Sequence, residues 1–195
     1  MMPKIRPFAQ QEWSTYKDLR LAALAESPDA FGSTFAKEAQ RSDAEWANRL
    51  ASGVNSSWDF PIVAEIDRQP IGLAWGRIEE SNPTVANLYQ VWVQPNFRRV
   101  GAGRLLLEAV TTWAKGKQAH FLELGVTRGD TPAMRLYTRA GFEPVGQPQP
   151  IRPGAELLGQ RMQLKLKKGD SLTALQATVL LSPCGRARPA PETER

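Results

Sequence analysis

One short segment limits what this chain can fold into: Arg98-Arg99-Val100-Gly101-Ala102-Gly103. It stands between a β-branched, alternating run that ends at Val93-Gln94-Pro95 and a helical pattern, Gly103 to Lys115, with Leu106, Leu107, Val110 and Trp113 on one side. Glycines at such a junction let the backbone approach a ligand closely and tolerate positive φ. The helix that follows presents unpaired N–H groups and the positive end of its dipole. Together these make an anion cradle suited to a pyrophosphate. Two familiar loops of this kind are excluded. A P-loop requires Gly-Lys-Ser/Thr, and here Gly103 is followed by Arg104-Leu105. A dinucleotide fingerprint requires a third glycine where Leu106 stands, and an acidic ribose ligand where Glu123 instead sits inside a Leu alternation.

The elements around the loop alternate between the two periods. Lys4 to Phe8 reads as a short strand closed by Pro7, and Gln10 to Ala25 as a helix broken by Ser27-Pro28-Asp29-Ala30-Phe31-Gly32. Ser42-Asp43-Ala44-Glu45 is a capping box, opening a helix to about Leu50, with a loop from Gly53 to Ser57. Phe60 to Ile66 and Ile71 to Ile78 flank Asp67-Arg68-Gln69-Pro70 as a hairpin, and Val85 to Val93 is the next strand. Beyond the loop come a strand at Phe121 to Val126, a helix at Pro132 to Ala140 and a strand at Phe142 to Val145. A Pro-rich loop, Gln147 to Pro153, precedes a last strand at Leu157 to Leu166. The order is mixed α/β (α+β), with residues 1–168 as one domain. Residues 169–195 are expected to be a mobile tail, with Asp170 to Leu181 a short-helix candidate.

Charge narrows the ligand. Lys plus Arg number 25 against 20 for Asp plus Glu, a net of +5. Residues 1–97 carry −3, residues 98–168 carry +8 and residues 169–195 carry none. The half that holds the loop is the basic half, which points to a small phosphorylated partner. Nucleic acid needs a basic face with stacking aromatics, and Trp113, Tyr137 and Phe142 are each placed by helix period or motif instead. Cys184 is the sole cysteine and His120 the sole histidine, which excludes an internal disulfide framework and a Cys or multi-His metal site. His120 itself reads as structural or exposed. No apolar run has the length of a signal peptide or a membrane span, so the expected location is cytoplasmic, with no membrane partner and no metal.

Arg98-x-x-Gly101-x-Gly103 resembles the Arg/Gln-x-x-Gly-x-Gly/Ala loop by which GCN5-related N-acetyltransferases (GNAT) hold acetyl-CoA. Some 35 residues on, Leu122-x-Leu124-x-Val126 resembles that family's fifth strand, and Asp130-x-x-Ala133-x-x-Leu136-Tyr137-x-x-x-Gly141-Phe142 its following helix and turn. Ile5-Arg6-Pro7 and Val93-x-Pro95 fit as well, so the resemblance runs from about Lys4 to Lys168. It implies the GNAT fold: a mixed sheet of about seven strands flanked by about four helices, with a splayed strand pair forming the CoA cleft. It also implies an N-acetyltransferase that moves acetyl from acetyl-CoA, as cosubstrate, to a small-molecule or peptide primary amine by direct attack in a ternary complex. A non-catalytic acyl-CoA sensor on the same fold is the alternative. Dimers are common in the family, and the last strand with its Pro-rich loop offers an interface by analogy.

Carried onto this chain, the resemblance implies pyrophosphate donors at the backbone N–H groups of Arg99, Val100, Gly101, Ala102, Gly103 and Arg104. Arg98, Arg99 and Arg104 add positive charge or simply lie in solvent. Val91, Trp92 and Val93 line the pantetheine arm through their backbone, with the Val91 N–H as oxyanion donor. Asp130, Ala133 and Tyr137 lie on the cofactor side of their helix. Tyr137 is the general acid for the departing thiolate, since a phenol keeps its proton at neutral pH. Asp130 replaces the usual Asn and reads better as the helix N-cap. The general base stays open: Glu79 and Glu80 acting through water or serving as solvated turn charges, or Glu123, pointing away from the face of Leu122 and Leu124. The glutamate that some relatives place at the start of the strand before the loop is absent, since that stretch reads Asn87-Leu88. The first two helices and the loop joining them, Ser27 to Phe35, are the acceptor wall that the resemblance implies, with Phe31 and Phe35 as pocket lining or core.

Overall fold

Two β-branched runs flank Asp67-Arg68, and both turn residues adopt positive φ, 50° and 67°. That left-handed pair is what a two-residue hairpin turn requires. It joins β2 (Asp59–Ile66) to β3 (Gln69–Ile78), and β4 (Val85–Val93) continues the meander, with β1 (Lys4–Pro7) on the outer edge of β2. These pairings are antiparallel. A helix, α4 (Ala102–Gly116), then crosses over so that β5 (Phe121–Thr127) enters parallel to β4. After α5 (Pro132–Arg139) come β6 (Glu143–Pro150) and β7 (Leu158–Lys165), with β7 inserted between β5 and β6. The sheet order is β1-β2-β3-β4-β5-β7-β6.

The computed structural model describes residues 2–166. The proposed tail 169–195, with its helix candidate Asp170 to Leu181, lies outside the described residues.

Each face of the sheet is covered by its own layer. On one side α1 (Trp13–Glu26) and α3 (Asp43–Asn55) bury Tyr16, Ala23, Trp46 and Leu50 against Val63, Leu73, Trp75 and Trp92. On the other, α4 buries Leu106, Leu107, Val110 and Ala114 against Ile62, Ala74, Ala86 and Leu122, and α5 adds Tyr137. Removing that apolar surface from water, at roughly 25 cal/mol per Å², is the main term holding the layers together.

Several boundaries depart from the sequence reading. There are five α-helices among the described residues: a short α2 (Phe35–Ala39) joins the expected four. It starts at Thr34, whose side chain accepts the Lys37 N–H, and its Glu38 is 2% exposed among Arg20, Arg41 and Arg49. The Ser42–Glu45 capping box forms as expected, but α3 runs past Leu50 to Asn55. Gly53 lies within this last stretch of the helix, and a Cβ there would stand 2.2 Å from Trp75 Cζ2, so the indole occupies the space a side chain would need. β6 extends to Pro150 where a loop was expected. Its three prolines are tolerated because β6 is an edge strand, needing few ladder donors. The N-cap of α5 is Thr131 rather than Asp130: its hydroxyl accepts the Met134 N–H at 3.0 Å, and Pro132 takes the first helical position.

Candidate functional site

β4 and β5 are partners for only part of their length. Val85–Leu88 pair with Phe121–Leu124, and no register continues beyond. Tyr89–Val93 of β4 and Gly125–Thr127 of β5 are left without each other, so the sheet opens into a gap at its centre. β4 is reshaped at the point of parting. Gln90 adopts φ 58°, and the span Leu73–Trp75 of β3 faces the longer span Tyr89–Trp92, which is a bulge. Tyr16 of α1 pins it, donating its hydroxyl to Gln90 Oε1 at 3.1 Å.

Beyond the bulge the Gln94 N–H donates to Ile71 O at 2.8 Å. Bonded and non-bonded pairs alternate in antiparallel ladders, so Val93 turns its backbone groups away from β3 and toward the gap. Val91, inside the bulge, shares the side-chain face of Val93. Their side chains pack against the α4 layer, whereas the Trp92 side chain lies in the α1 layer.

The glycine loop lies at the mouth of this gap. Arg99 and Gly101 both have positive φ, 67° and 89°, on either side of Val100. Gly101 is the N-cap of α4, and the first helical bond runs from the Leu105 N–H to Gly101 O at 3.0 Å. The N–H groups of Arg99, Val100, Gly101, Ala102, Gly103 and Arg104 have no backbone acceptor among the described residues. Six consecutive donors at a helix N-terminus, curved by two left-handed residues, form a nest that fits a pyrophosphate.

The arginines around the loop are arranged differently from one another. Arg98 turns from the cradle: its Nε donates to Val93 O at 3.0 Å and its Nη2 to Glu26 Oε2 at 2.6 Å. Arg104 is 70% exposed and sits 3.5 Å from Glu108. Arg99 forms no ion pair among the described residues. Positive charge at the cradle therefore comes from the peptide dipoles, with Arg99 and Arg104 at its rim.

Glu26 also accepts the Trp92 indole N–H at 3.0 Å. Arg98, then Ser27 and Trp92, hold its carboxyl at about 2, against a usual value near 4.5. The stabilisation from this depressed carboxyl is complete above pH ~4.5 and is lost as pH falls toward 2. The difference in Tm between the wild-type protein and Glu26→Gln is expected to be constant near neutrality and to shrink across that acid window. It will be small, because the pair is part-exposed and screened.

α5 brings the remaining cofactor-side candidates to the loop, since a Cβ on Gly103 would touch Leu136 Cδ2 at 3.7 Å. Tyr137 is 6% exposed, packs against Phe142 at 5.8 Å between ring centroids, and has no hydrogen-bond partner on its hydroxyl among the described residues. Burial pushes its phenol above the usual range, so the proton stays on oxygen at neutral pH. Ala133 is half-buried on the same helix, while Asp130 is exposed and bound by Arg135 Nη1 at 2.5 Å. A carboxylate so paired is turned to solvent.

The base candidates lie at the closed end of the gap, on the α1 side. Glu79, Asn82, Val85, Asn87, Glu123 and Arg161 line one open cavity of about 230 Å³. Glu79 pairs with Arg77 at 3.0 Å, and Glu123 accepts Gln163 Nε2 at 2.6 Å. Glu80 is exposed in the turn after β3 and does not line the cavity. Phe31 packs against the α1 layer, 4.7 Å from the Arg20 guanidinium, and Phe35 is 45% exposed on α2. His120 is exposed ahead of β5. Glu26, Gln90, Thr127 and Arg152, which also frame the gap, carry no motif signal.

The acetyltransferase (GNAT) family model matches residues 19–142. The chain belongs to the GNAT family. The mycothiol acetyltransferase of Pseudarthrobacter chlorophenolicus is 25% identical over 142 residues, covering 71% of this chain and 42% of that protein. This GNAT chain spans about two fifths of the length of the curated relatives it matches. Among solved structures, YncA of Salmonella typhimurium, with its cofactor acetyl-CoA, superposes with a TM-score of 0.71 at 19% identity, covering 91% of this chain and 99% of that one. PaiA N-acetyltransferase of Thermoplasma acidophilum, in complex with coenzyme A, gives 0.67 at 16% identity, with 85% and 99% covered. The seven-stranded sheet with its splayed central pair is thus the GNAT fold. No helix among the described residues is long and apolar enough to cross a membrane, and none of their His, Cys, Asp and Glu side chains group in threes suited to a metal ion.

Proposed function

We propose that this GNAT chain is an acetyl-CoA-dependent N-acetyltransferase acting on a primary amine by direct attack in a ternary complex. The observation that carries the proposal is the row of six N–H groups at the head of α4 with no acceptor among the described residues, beside a parallel strand pair that is half unpaired. Acetyl-CoA supplies the acetyl thioester. The N–H groups of Arg99 through Arg104 bind its pyrophosphate, and the backbone of Val91 and the gap-facing N–H of Val93 take the pantetheine arm, the Val93 carbonyl being held by Arg98. The Val91 N–H orients the thioester carbonyl as an oxyanion donor. Tyr137 holds a proton at its hydroxyl for the leaving sulfur. Glu79 and Glu123, in one cavity beside Asn87, draw the proton from the amine through water, and the acidic N-terminal half suits a cationic acceptor.

A second reading, an acyl-CoA sensor, is favoured by one feature: both cavity carboxylates are already engaged, Glu79 by Arg77 and Glu123 by Gln163. Thermal denaturation with millimolar acetyl-CoA or CoA, followed by an amine panel scored for free thiol against protein-free controls, separates the possibilities. An N-acetyltransferase shows a raised Tm and amine-dependent thiol release. A raised Tm with no release across the panel identifies a sensor. No rise with either ligand overturns acetyl-CoA binding altogether.

A further inference from the structure

The gap between β4 and β5 is bridged on the α1 side by a segment that belongs to neither strand. Glu26, the last residue of α1, holds the β4 end through the Trp92 indole at 3.0 Å and through Arg98 at 2.6 Å. Three residues later, the Asp29 carbonyl accepts the Thr127 hydroxyl at 2.5 Å, at the last residue of β5. The stretch Glu26–Asp29 therefore spans the two strands where they make no bonds to each other. It runs on to Phe31, which packs against the α1 layer.

A single side chain grips this strap from outside. Arg152, in the turn between β6 and β7, donates from Nη1 to Pro28 O at 3.0 Å and to Phe31 O at 3.1 Å, and its Nη2 lies 3.8 Å from Asp29 Oδ1. The turn is itself fixed: the Ile151 N–H donates to Leu157 O at 3.0 Å and the Ala155 N–H to Arg152 O at 3.1 Å. The strap has one internal backbone bond, from the Ala30 N–H to Ser27 O at 3.0 Å. Its carbonyls at Pro28, Asp29 and Phe31 are satisfied by Arg152 and Thr127.

We propose that Arg152 is a positioning residue for the acceptor, a latch that fixes the strap across the gap so that the incoming amine is seated between strap and strands. The proposal rests on the acetyltransferase assignment. A guanidinium suits the task because its planar fork meets two carbonyls and a carboxylate at once, which an ammonium does not reproduce. Without it the strap keeps only its anchors at Glu26, Thr127 and Phe31, and the ordering that remains to be done on acceptor binding lowers acceptor affinity rather than the rate of the chemical step.

The test compares wild-type protein with Arg152→Ala, Arg152→Lys and Thr127→Val. Hydrogen–deuterium exchange of residues 27–32 is read on the protein alone. Steady-state kinetics use the best amine of the panel, and acetyl-CoA affinity is measured by calorimetry. Arg152→Ala is expected to speed exchange at 27–32 with α4 unaffected, and to raise the amine KM about tenfold with kcat within about threefold and acetyl-CoA Kd unchanged. Arg152→Lys should behave like Arg152→Ala, and Thr127→Val carries the same expectation should the arginine variants fail to fold. Unchanged exchange at 27–32 overturns the latch. So does faster exchange with an unmoved amine KM, or an acetyl-CoA Kd that weakens in step. A wild-type protein that binds no acetyl-CoA, or releases no thiol with any amine, instead defeats the acetyltransferase assignment, and exchange then decides the latch alone.

Discussion

Gly101→Val is expected to yield a folded protein whose Tm no longer rises with acetyl-CoA. Nothing lies within 4 Å of where a Cβ would stand at Gly101, so the substitution creates no clash. The difficulty is the backbone. Gly101 sits at φ +89°, where a β-branched residue is strained by about 1–3 kcal/mol. The chain relieves that strain by rotating the peptides around residue 101, which swings N–H groups out of the nest. Each charge-assisted bond to a phosphate oxygen is worth roughly 1.5–3 kcal/mol, so losing two weakens acetyl-CoA by at least about 100-fold. Gly103→Ala is the contrasting control. Gly103 lies inside α4, and a Cβ there makes an ordinary 3.7 Å contact with Leu136. That variant should bind acetyl-CoA nearly as wild type does. Thermal shift and calorimetry on both proteins check the pair, and equal binding by Gly101→Val would refute the nest.

Tyr137→Phe is expected to lower kcat by about 10²- to 10⁴-fold, the usual range for losing a general acid. Acetyl-CoA affinity and Tm should stay close to wild type, because the hydroxyl bonds to nothing in the described protein while the ring keeps its contact with Phe142. Burial raises the phenol above its ordinary pKa near 10. The acid is therefore in its protonated form throughout the neutral and mildly alkaline range, and tyrosine ionisation imposes no alkaline fall on the rate below pH ~10. A full pH–rate profile of both proteins, with acetyl-CoA affinity measured in parallel, is the check. Retained turnover in Tyr137→Phe would assign the proton on the leaving sulfur to water.

The site was readable where its chemistry is local. A strand, two glycines and an amphipathic helix in succession are what a phosphate cradle requires, and the segment folds as a strand, a loop with two left-handed residues and a helix because every constraint on it lies within twenty residues. The Ser42–Glu45 cap was legible for the same reason. β6 was not, because Pro144, Pro148 and Pro150 speak against a strand unless its place at the sheet edge is known. Gly53 reads as a loop residue in sequence, and the reason for a glycine inside α3 lies in Trp75, twenty-two residues on, whose indole fills its side-chain space. Thr131 and Asp130 are both good caps, and only the seating of Pro132 chooses between them. The grip of Arg98 on Glu26 and of Arg152 on Pro28 and Phe31 spans 72, 124 and 121 residues, with no period or motif to reveal it. Arg98 shows the limit of reading locally: its place beside the glycines suggests a phosphate ligand, and only the fold reveals its bond to a carboxylate at the end of α1.

The parting of β4 from β5 after Leu88 and Leu124 means that this sheet is two plates sharing a four-residue seam. β1 through β4 form one plate, β5 through β7 the other. Apart from the Val93 carbonyl, which Arg98 holds, backbone groups facing the rest of that seam have no partner on the opposite plate. A molecule lying there with amide groups of its own acts as a missing strand and mortars the plates together. Stiffness of the sheet and occupancy of the gap then become one thermodynamic quantity, and a ligand that fits binds by finishing the fold.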